Sequence, residues 1–500
     1  MCDRTFPACQ KCGTRSLKCP GYGVTFKWTH SVASRGRLRG LQVPLSNPAH
    51  DHNARPTSKA PVHGRGIGPS YTAEHHEDNG FATNSGWEFG SLTNGSFIQN
   101  ALTAPSGLSD SRSRRLLHHY CHVVAPQMAW IDSFQNPFRT ILLPLAVESP
   151  AVLSSILAIS DVDICSRHDF WSRSASESST PWSQHLDQAL GLLAERLRHE
   201  REQGDGDLSY ARDQKYAISI LAAIIVLCLL EVKWAASSPW RLHLRAAWAV
   251  IRHWTSNART LSLLTDNEGT FLIQEVFAMN VWTSVTTFTP DDEDGLKDID
   301  CSKSNAIFMD YLEIIQAVTK AERALAESDF SGLRPFTDLD MLHVRLDRAR
   351  ERTLGLSHTL TVHSRQARQG CVHLVEMFHY ATLIYGYQVL GRDEKCKDVI
   401  ADARGRLFDH LRDFSIAELV VHDLAWPLFI AGTECCGRCE DQAFVERIMH
   451  KVIQLSGPLD RRRMLQFLKS LWDIQIYNTD VDWIKLARIW AQRGENILIL

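Results

Sequence analysis

The sequence has no uninterrupted apolar run as long as a bilayer-spanning helix requires. Its longest apolar run covers residues 216–230 and is closed by Lys215 and Glu231. A bilayer-spanning helix needs about 20 such residues. The run therefore predicts a buried core helix, and no membrane partner is expected. An apolar stretch is also missing after Met1, so we expect no signal peptide and a compartment in which thiols stay reduced.

Signatures of catalysis are missing as well. The sequence contains no Gly-x-Ser-x-Gly elbow and no phosphate-binding P-loop. The acidic string Asp291–Asp294 superficially matches the magnesium-binding signature of helical isoprenoid cyclases, but the third acid of that signature would fall on Gly295. The companion pattern fails too, because Asn280 and Ser284 are followed by Phe288 where Glu is required. We therefore predict that the protein is not an enzyme.

Neither sign of charge dominates the whole chain, but positive charge dominates residues 1–40. The net charge is −3, yet residues 1–40 hold eight Lys and Arg residues against Asp3 alone, a net +7 that leaves −10 on the remainder. A basic head on an acidic body indicates contacts with phosphates, although a solvated basic tail would have the same composition. Seven of these residues are the candidate nucleic-acid contacts: Lys11, Arg15, Lys18, Lys27, Arg35, Arg37 and Arg39.

Cysteines are not scarce, and four of the thirteen open the chain at regular intervals. They are Cys2, Cys9, Cys12 and Cys19. A zinc site made of thiolates needs four sulfurs in a tetrahedron, and a Cys-x-x-Cys turn supplies two of them from one loop. The spacing therefore predicts a zinc site. An accidental cluster or a disulfide framework is the alternative.

The residues around these cysteines carry a family resemblance. They read Cys2-Asp3, Pro7-x-Cys9-Gln10-Lys11-Cys12 and Leu17-Lys18-Cys19-Pro20-Gly21-Tyr22. This string resembles the fungal zinc binuclear cluster family of transcription factors. In that family six cysteines hold two zinc ions, and the resemblance places the four cysteines here at the third to sixth positions. The first two have no counterpart, so at most one Zn²⁺ can be fully ligated.

The missing third of the cluster bears on DNA recognition. The family reads DNA with basic residues between its second and third cysteines, a segment that would precede Met1. Two explanations are open: the true start lies upstream, or the gene encodes a regulator with half of its cluster. We expect the first. The resemblance further implies that Lys11, Arg15 and Lys18 touch phosphates.

The remainder of the chain divides into a linker and a helical body. Residues 41–109 are rich in Ser, Gly, Asn, Pro and His, which is typical of a disordered linker. Over residues 110–500 apolar residues recur at helical intervals and alternating strand patterns are absent. The predicted fold is therefore all-α, with a partial zinc-cluster head at 1–40. At about 390 residues the body exceeds what one core usually serves, so two packed lobes or a curved stack are expected.

Local signals predict where several helices begin and end. Ser109 and Asp110 are N-cap candidates, Ser149-Pro150 offers an N-cap with a first-turn proline, and Gly391 is a stop. Amphipathic runs predict helices at 311–325, 371–390, 441–454, 462–476 and 481–492.

A second group of cysteines lies late in the body. Cys435, Cys436 and Cys439 follow the segment 426–434 on what is predicted to be one helix. No second Cys-x-x-Cys motif lies nearby, so a metal or redox site is not indicated. Free cysteine is among the most buried residue types, and core packing is predicted for all three.

The body also resembles the helical regulatory domain that fungal zinc-cluster factors carry. The resemblance covers Leu116-Leu117-His118-His119-Tyr120, Met128, Asp132, Asn136-Pro137-Phe138-Arg139, Leu143-Pro144-Leu145-Ala146, Trp240-Arg241-Leu242-His243-Leu244 and Trp426-Pro427-Leu428-Phe429-Ile430-Ala431-Gly432. It departs at Asp161-Val162-Asp163, where a small residue followed by His is usual. Helix packing is the predicted role of most of these residues. The domain has no known common cofactor and is thought to regulate the activator.

The sequence and the resemblance together predict a nuclear, pathway-specific RNA polymerase II transcription factor. It would bind promoter DNA through zinc held by the four cysteines, and contact the transcription machinery. A homodimer is an open alternative, but no heptad repeat follows the cluster, so a coiled-coil dimer is not indicated. Secondary metabolism or nutrient catabolism is the target class that the family implies. The alternative is a truncated regulator that cannot read DNA and acts through protein–protein interaction.

Overall fold

The computed structural model describes most of the predicted body. The described residues are 110–171, 183–203, 210–233, 240–255, 266–288, 306–326, 339–361, 365–391, 394–414, 421–457, 461–478 and 481–499. Of this part of the chain 87% is helical and none is in a strand. The predicted all-α class is therefore confirmed. The head at 1–40 and the linker at 41–109 lie outside the described residues.

The described helices are numbered in chain order. The first nine are α1 (Ser111–His119), α2 (Ala125–Met128), α3 (Pro137–Thr140), α4 (Leu142–Glu148), α5 (Pro150–Trp171), α6 (Ser183–Gln203), α7 (Tyr210–Lys233), α8 (Trp240–Thr255) and α9 (Asn267–Thr286). The others are α10 (Met309–Ala326), α11 (Leu339–Thr359), α12 (Arg365–Leu390), α13 (Glu394–Asp413), α14 (Ala425–Thr433), α15 (Cys439–Ser456), α16 (Arg461–Tyr477) and α17 (Trp483–Gln492). A π-helical turn, Tyr120–Val124, joins α1 to α2, and a 3₁₀ turn, Val421–Leu424, precedes α14.

Helix ends fall where the local signals place them. The carboxylate of Asp110 caps α1 by accepting a hydrogen bond from the Ser113 N–H at 2.8 Å. Helix α5 begins at Pro150, whose missing N–H would have no helical partner in the first turn. Helix α12 ends at Leu390, one residue before Gly391. The five amphipathic runs coincide with α10, α12, α15, α16 and α17, so these predictions are confirmed.

The centre of the body is made of helices that are buried on nearly every side. In α7 the window Lys215–Lys233 is long and apolar enough to span a membrane by composition, but 78% of it is buried inside the body. It packs against α5, α6, α8 and α9. A helix that is hydrophobic all round belongs in a protein core or a bilayer, and its neighbours here are protein helices. The predicted core helix at 216–230 is therefore confirmed.

A second group of helices surrounds α12, which packs against α10, α11, α13 and α14. Helix α9 connects the two groups, because it contacts α7, α8, α10 and α17. The buried apolar residues from Leu116 to Ile499 consequently form one continuous core. Within the described residues the body is a single compact unit, and its expected arrangement as two packed lobes or a curved stack stays a prediction.

Gly391 is expected to tolerate no side chain. A Cβ at this position would lie 2.5 Å from the carbonyl oxygen of Tyr387 and 3.0 Å from the Sγ of Cys396. Gly391→Ala should therefore lower the free energy of unfolding by about 1–3 kcal/mol. The matched control is Gly405→Ala, which meets no atom within 4 Å and lies inside α13, where alanine should add about 0.5–1 kcal/mol. Urea denaturation followed by circular dichroism measures both, and equal effects would contradict the assignment.

Candidate functional site

The predicted zinc and DNA sites lie outside the described residues. These positions are Cys2, Cys9, Cys12 and Cys19 for zinc, and Lys11, Arg15, Lys18, Lys27, Arg35, Arg37 and Arg39 for DNA. They stay predictions. In the part of the chain that the structure describes, no group of three or more His, Cys, Asp or Glu residues is arranged to hold a metal ion. The candidate site of the body is of another kind.

The late cysteine group is only partly a core feature. Cys435 is fully buried, and its thiol donates to the carbonyl oxygen of Ala431 at 3.2 Å. Cys436 and Cys439 are exposed. The prediction that all three share one helix with residue 426 is wrong, because α14 ends at Thr433 and the chain turns through Gly437 at a φ of 66° before α15 begins. Glycine adopts this left-handed backbone without steric cost, which suits Gly437 to the turn.

A partly open cavity of about 140 Å³ lies among the helices that carry the core of the body. Four ring side chains line it: Trp130, Trp282, Phe378 and Trp426. The Trp282 ring centroid lies 5.7 Å from that of Trp426 and 6.3 Å from that of Phe378. Rings at these separations pack by edge and offset contacts. The cavity therefore has a rigid aromatic wall.

The same cavity is lined by four ionisable side chains. Two are cations, Lys233 at the end of α7 and Arg461 at the start of α16, and two are carboxyls, Glu275 on α9 and Asp423 in the 3₁₀ turn. Lys233 is 8% exposed and Arg461 only 2%. Charged side chains are seldom buried this far in a protein without a specific role or partner. Because these four lie on separate elements, only the folded body brings them together.

Burial shifts the pKa of each cavity group toward its neutral form. Burial raises the pKa of Glu275 to about 8. It also raises the pKa of Asp423 well above its usual range, although the charge of Arg461 lowers that pKa. It lowers the pKa of Arg461 to about 10, with Asp423 opposing. It also lowers the pKa of Lys233. At neutral pH Glu275 therefore favours its protonated form, and Arg461 and Asp423 each oppose the effect of burial on the other.

Lys233 is held in place by Asp163, which is 1% exposed on α5. The Lys233 Nζ donates to Asp163 Oδ1 at 2.8 Å. His119 Nε2 and Arg167 Nε lie 2.9 and 2.8 Å from Asp163 Oδ2. Burial alone would raise the pKa of Asp163, but the charge of Lys233 and the bonds from His119 and Arg167 hold it far below its usual range. One carboxylate thus links α1, α5 and α7 at the edge of the cavity.

A groove of about 580 Å³ adjoins the cavity. The two spaces share Trp130, Glu275 and Ala278 in their walls. The groove is otherwise lined by residues such as Phe138, Phe271 and Leu360. Because Glu275 and Ala278 face both spaces, the groove offers a route toward the cavity.

A comparison with protein families decides the class of the body. The model of the fungal-specific transcription factor domain matches residues 115–499. The chain belongs to this family. Membership indicates a transcription regulator, and it suggests DNA and the transcription machinery as partners, the nucleus as the compartment and a role other than catalysis. Neither a curated protein nor a solved structure matches the chain.

Several landmarks of this transcription factor domain hold its N-terminal segment together. The Asn136 side-chain amide donates to the Ala125 carbonyl oxygen at 2.9 Å and to Asp132 Oδ1 at 2.8 Å. Arg139 pairs with the same Asp132 carboxylate. The Tyr120 hydroxyl donates to the Phe138 carbonyl oxygen at 3.0 Å. These contacts support helix packing as the role of the landmark residues.

Reasoning from the sequence of this transcription factor missed the cavity residues. Asp163 was noticed as a departure from the family string, but its partner Lys233 lies 70 residues away. Glu231 closes the apolar run in the sequence, and no motif there singles out Lys233. A lysine at the end of a helix that is otherwise buried is the signal that could have indicated a paired acid.

Proposed function

We propose that this chain is a DNA-binding, pathway-specific transcription factor whose head is a zinc cluster and whose helical body regulates it. The observation that carries the proposal is the coincidence of two features in one chain. The family match covers 115–499, and four cysteines at zinc-cluster spacing precede it. Genes of secondary metabolism or nutrient catabolism are the target class that the family implies.

The donor set suits one zinc ion. Cys2, Cys9, Cys12 and Cys19 would supply four thiolates, the complement of a structural zinc site. When bound, zinc would supply folding energy to a short segment that has little core of its own. The basic residues of 1–40 would then hold the head against phosphates, since a net charge of +7 favours sequence-independent contact with DNA.

A DNA-selection experiment on the full chain tests the proposal. The protein, prepared with zinc, is incubated with a pool of random duplexes, and the selected sequences are measured by gel shift. We expect selective binding, about one zinc per chain from the four thiolates, and loss of both in Cys12→Ser. Lys11→Gln should reduce the slope of log K against log salt by about 1. Cys436→Ser, an exposed thiol in the body, is the matched control and should change neither.

The second candidate function rests on the number of cysteines at zinc-cluster spacing, four where the family has six. A regulator that does not read DNA would act through protein–protein interaction and compete with intact relatives. Binding without sequence selectivity, or no DNA binding by zinc-loaded protein, would favour this function. Sequence-selective binding by the 500-residue chain would exclude it.

A further inference from the structure

Two of the late cysteines are exposed and lie three residues apart. Cys436 and Cys439 enclose Gly437 and Arg438 in a Cys-x-x-Cys string. Of the eight cysteines in the described ranges, these two are exposed and four are buried. Free cysteine is normally among the most buried residue types, and an accessible Cys-x-x-Cys pair is typical of thiol–disulfide exchange proteins. The exposure of both cysteines therefore favours a chemical role over core packing.

The backbone between the two cysteines reverses direction. The Arg438 N–H donates to the Cys435 carbonyl oxygen at 3.1 Å, which closes a turn with Cys436 and Gly437 at its centre. Gly437 is the third residue of this turn and has the positive φ, 66°, that a type II turn requires there. A Cβ on Gly437 would meet no atom within 4 Å, so the turn can adjust without a clash. A disulfide needs Cα atoms about 4.4–6.8 Å apart, and the reversed chain lets Cys436 and Cys439 reach that separation.

Both sides of the turn are held in place. The Arg404 Nε–H on α13 donates to the Glu434 carbonyl oxygen at 3.1 Å, and the same guanidinium pairs with the Asp441 carboxylate on α15. The Gln442 side-chain amide donates to the Cys435 carbonyl oxygen at 2.9 Å. The residues before and after the two thiols are thus bound to one another. The pair is kept together while both of its members stay exposed.

A metal site does not account for this pair. A structural zinc ion takes four ligands, and the described residues contain no group of three or more His, Cys, Asp or Glu arranged to hold a metal. Two thiols can react with each other without further ligands, because loss of two electrons and two protons joins them in a disulfide. In a compartment that keeps thiols reduced, such disulfides are transient and serve catalysis or redox sensing.

We infer that Cys436 and Cys439 are a redox-active dithiol, which a small disulfide such as glutathione disulfide oxidises to an intramolecular disulfide. One cysteine thiolate attacks a sulfur of glutathione disulfide and releases one glutathione thiolate, which leaves a mixed disulfide on the protein. The second cysteine thiolate attacks the protein sulfur of this mixed disulfide and releases the second glutathione thiolate. The dithiol loses two electrons, glutathione disulfide gains them, and the two thiol protons pass to the released thiolates.

The inference goes beyond the proposed DNA binding and depends on the body alone. Zinc content and DNA selection are measured on reduced protein, in which the dithiol is intact. Oxidation is measured on peptides that contain none of the four N-terminal cysteines. The two proposals therefore fail separately.

Oxidation of the full, zinc-loaded chain in glutathione buffers tests the inference. After acid quenching and alkylation of free thiols, trypsin cuts at Arg412, Arg438 and Arg447, which places Cys436 and Cys439 in the separate peptides 413–438 and 439–447. A disulfide keeps these peptides linked, and their fragmentation in a mass spectrometer shows which sulfurs are joined. We expect the linked peptides in chains that run as monomers on non-reducing gels, and their loss on addition of dithiothreitol. The ratio of disulfide to dithiol should follow the glutathione disulfide concentration divided by the square of the glutathione concentration, as a two-electron couple requires.

Variants separate this pair from its neighbour. Cys436→Ser and Cys439→Ser should each abolish the linked peptides and leave the remaining exposed thiol as a mixed disulfide with glutathione. Cys435→Ser is the matched control, because Cys435 is buried and a serine hydroxyl can still donate to the Ala431 carbonyl oxygen that the thiol contacts. This variant should keep the linked peptides. The inference is overturned if both thiols stay reduced in a large excess of glutathione disulfide, if the link involves Cys435, or if linked peptides form only between chains.

Discussion

Asp163→Asn is expected to lower the free energy of unfolding of the body by about 3–5 kcal/mol, because it leaves a buried lysine without its anion. Lys233 is 8% exposed and Asp163 is 1% exposed. The same carboxylate also accepts from His119 and Arg167. Loss of its charge therefore weakens three charge-assisted hydrogen bonds at once, and the cost of the unpaired Lys233 dominates.

Urea denaturation at neutral pH, followed by circular dichroism, measures this effect. Asp473→Asn is the matched control, because Asp473 lies exposed on α16, and it should change stability by less than about 0.5 kcal/mol. Adding Lys233→Met to Asp163→Asn should restore part of the loss, since it removes the buried lysine charge that Asp163→Asn leaves unpaired. Equal losses in Asp163→Asn and the control would show that the pair contributes nothing.

The Asp163 carboxylate should also make the free energy of unfolding depend on pH in the acid range. The pKa of Asp163 is lowered in the folded body from an ordinary 3.8. A depressed pKa gives stability that is present above the unfolded value and lost as the pH falls below it. The difference between the unaltered chain and Asp163→Asn should therefore be full at pH 7 and shrink below about pH 4. A difference that grew on acidification would contradict the assigned charge state.

Sequence reasoning succeeded for features that a short segment determines. Asp110, Pro150 and Gly391 mark helix ends through the chemistry of one residue and its neighbours. The apolar run 216–230 was assigned to the core because charged residues close it at both ends, and the burial of the longer window Lys215–Lys233 among protein helices confirms that assignment. The prediction that the late cysteines share one helix was wrong at a local detail, since the turn at Gly437 separates Cys435 from Cys439.

The cavity could not be predicted, because its residues meet only in the folded body. Trp130 and Arg461 are far apart in sequence, and no spacing rule joins them. Burial and pKa shifts are properties of the packed helices, so no sequence motif marks Glu275 on α9. The zinc residues are the opposite case: Cys9 and Cys12 carry a local signal, and they lie outside the described residues.

Trp426→Ala is the second change with a large expected effect. Trp426 is 1% exposed on α14. Its Nε1–H donates to the Thr382 hydroxyl at 3.4 Å, and its ring lies 5.7 Å from Trp282 and 5.3 Å from Tyr385 by centroids. Truncation removes the apolar contacts and leaves a void beside an existing cavity, which should cost about 3–5 kcal/mol of the free energy of unfolding.

Two further variants separate the causes of this loss. Trp426→Phe keeps most of the ring and removes the Nε1–H donor, so it should cost less, about 1–2 kcal/mol from the lost hydrogen bond and the smaller ring. Tyr477→Ala removes an aromatic side chain that is 89% exposed and should stay within about 0.5 kcal/mol of the unaltered chain. Urea denaturation ranks the three. If Trp426→Ala cost no more than Tyr477→Ala, α14 would not be packed in the core, and the wall that Trp426 gives to the cavity would be lost with it.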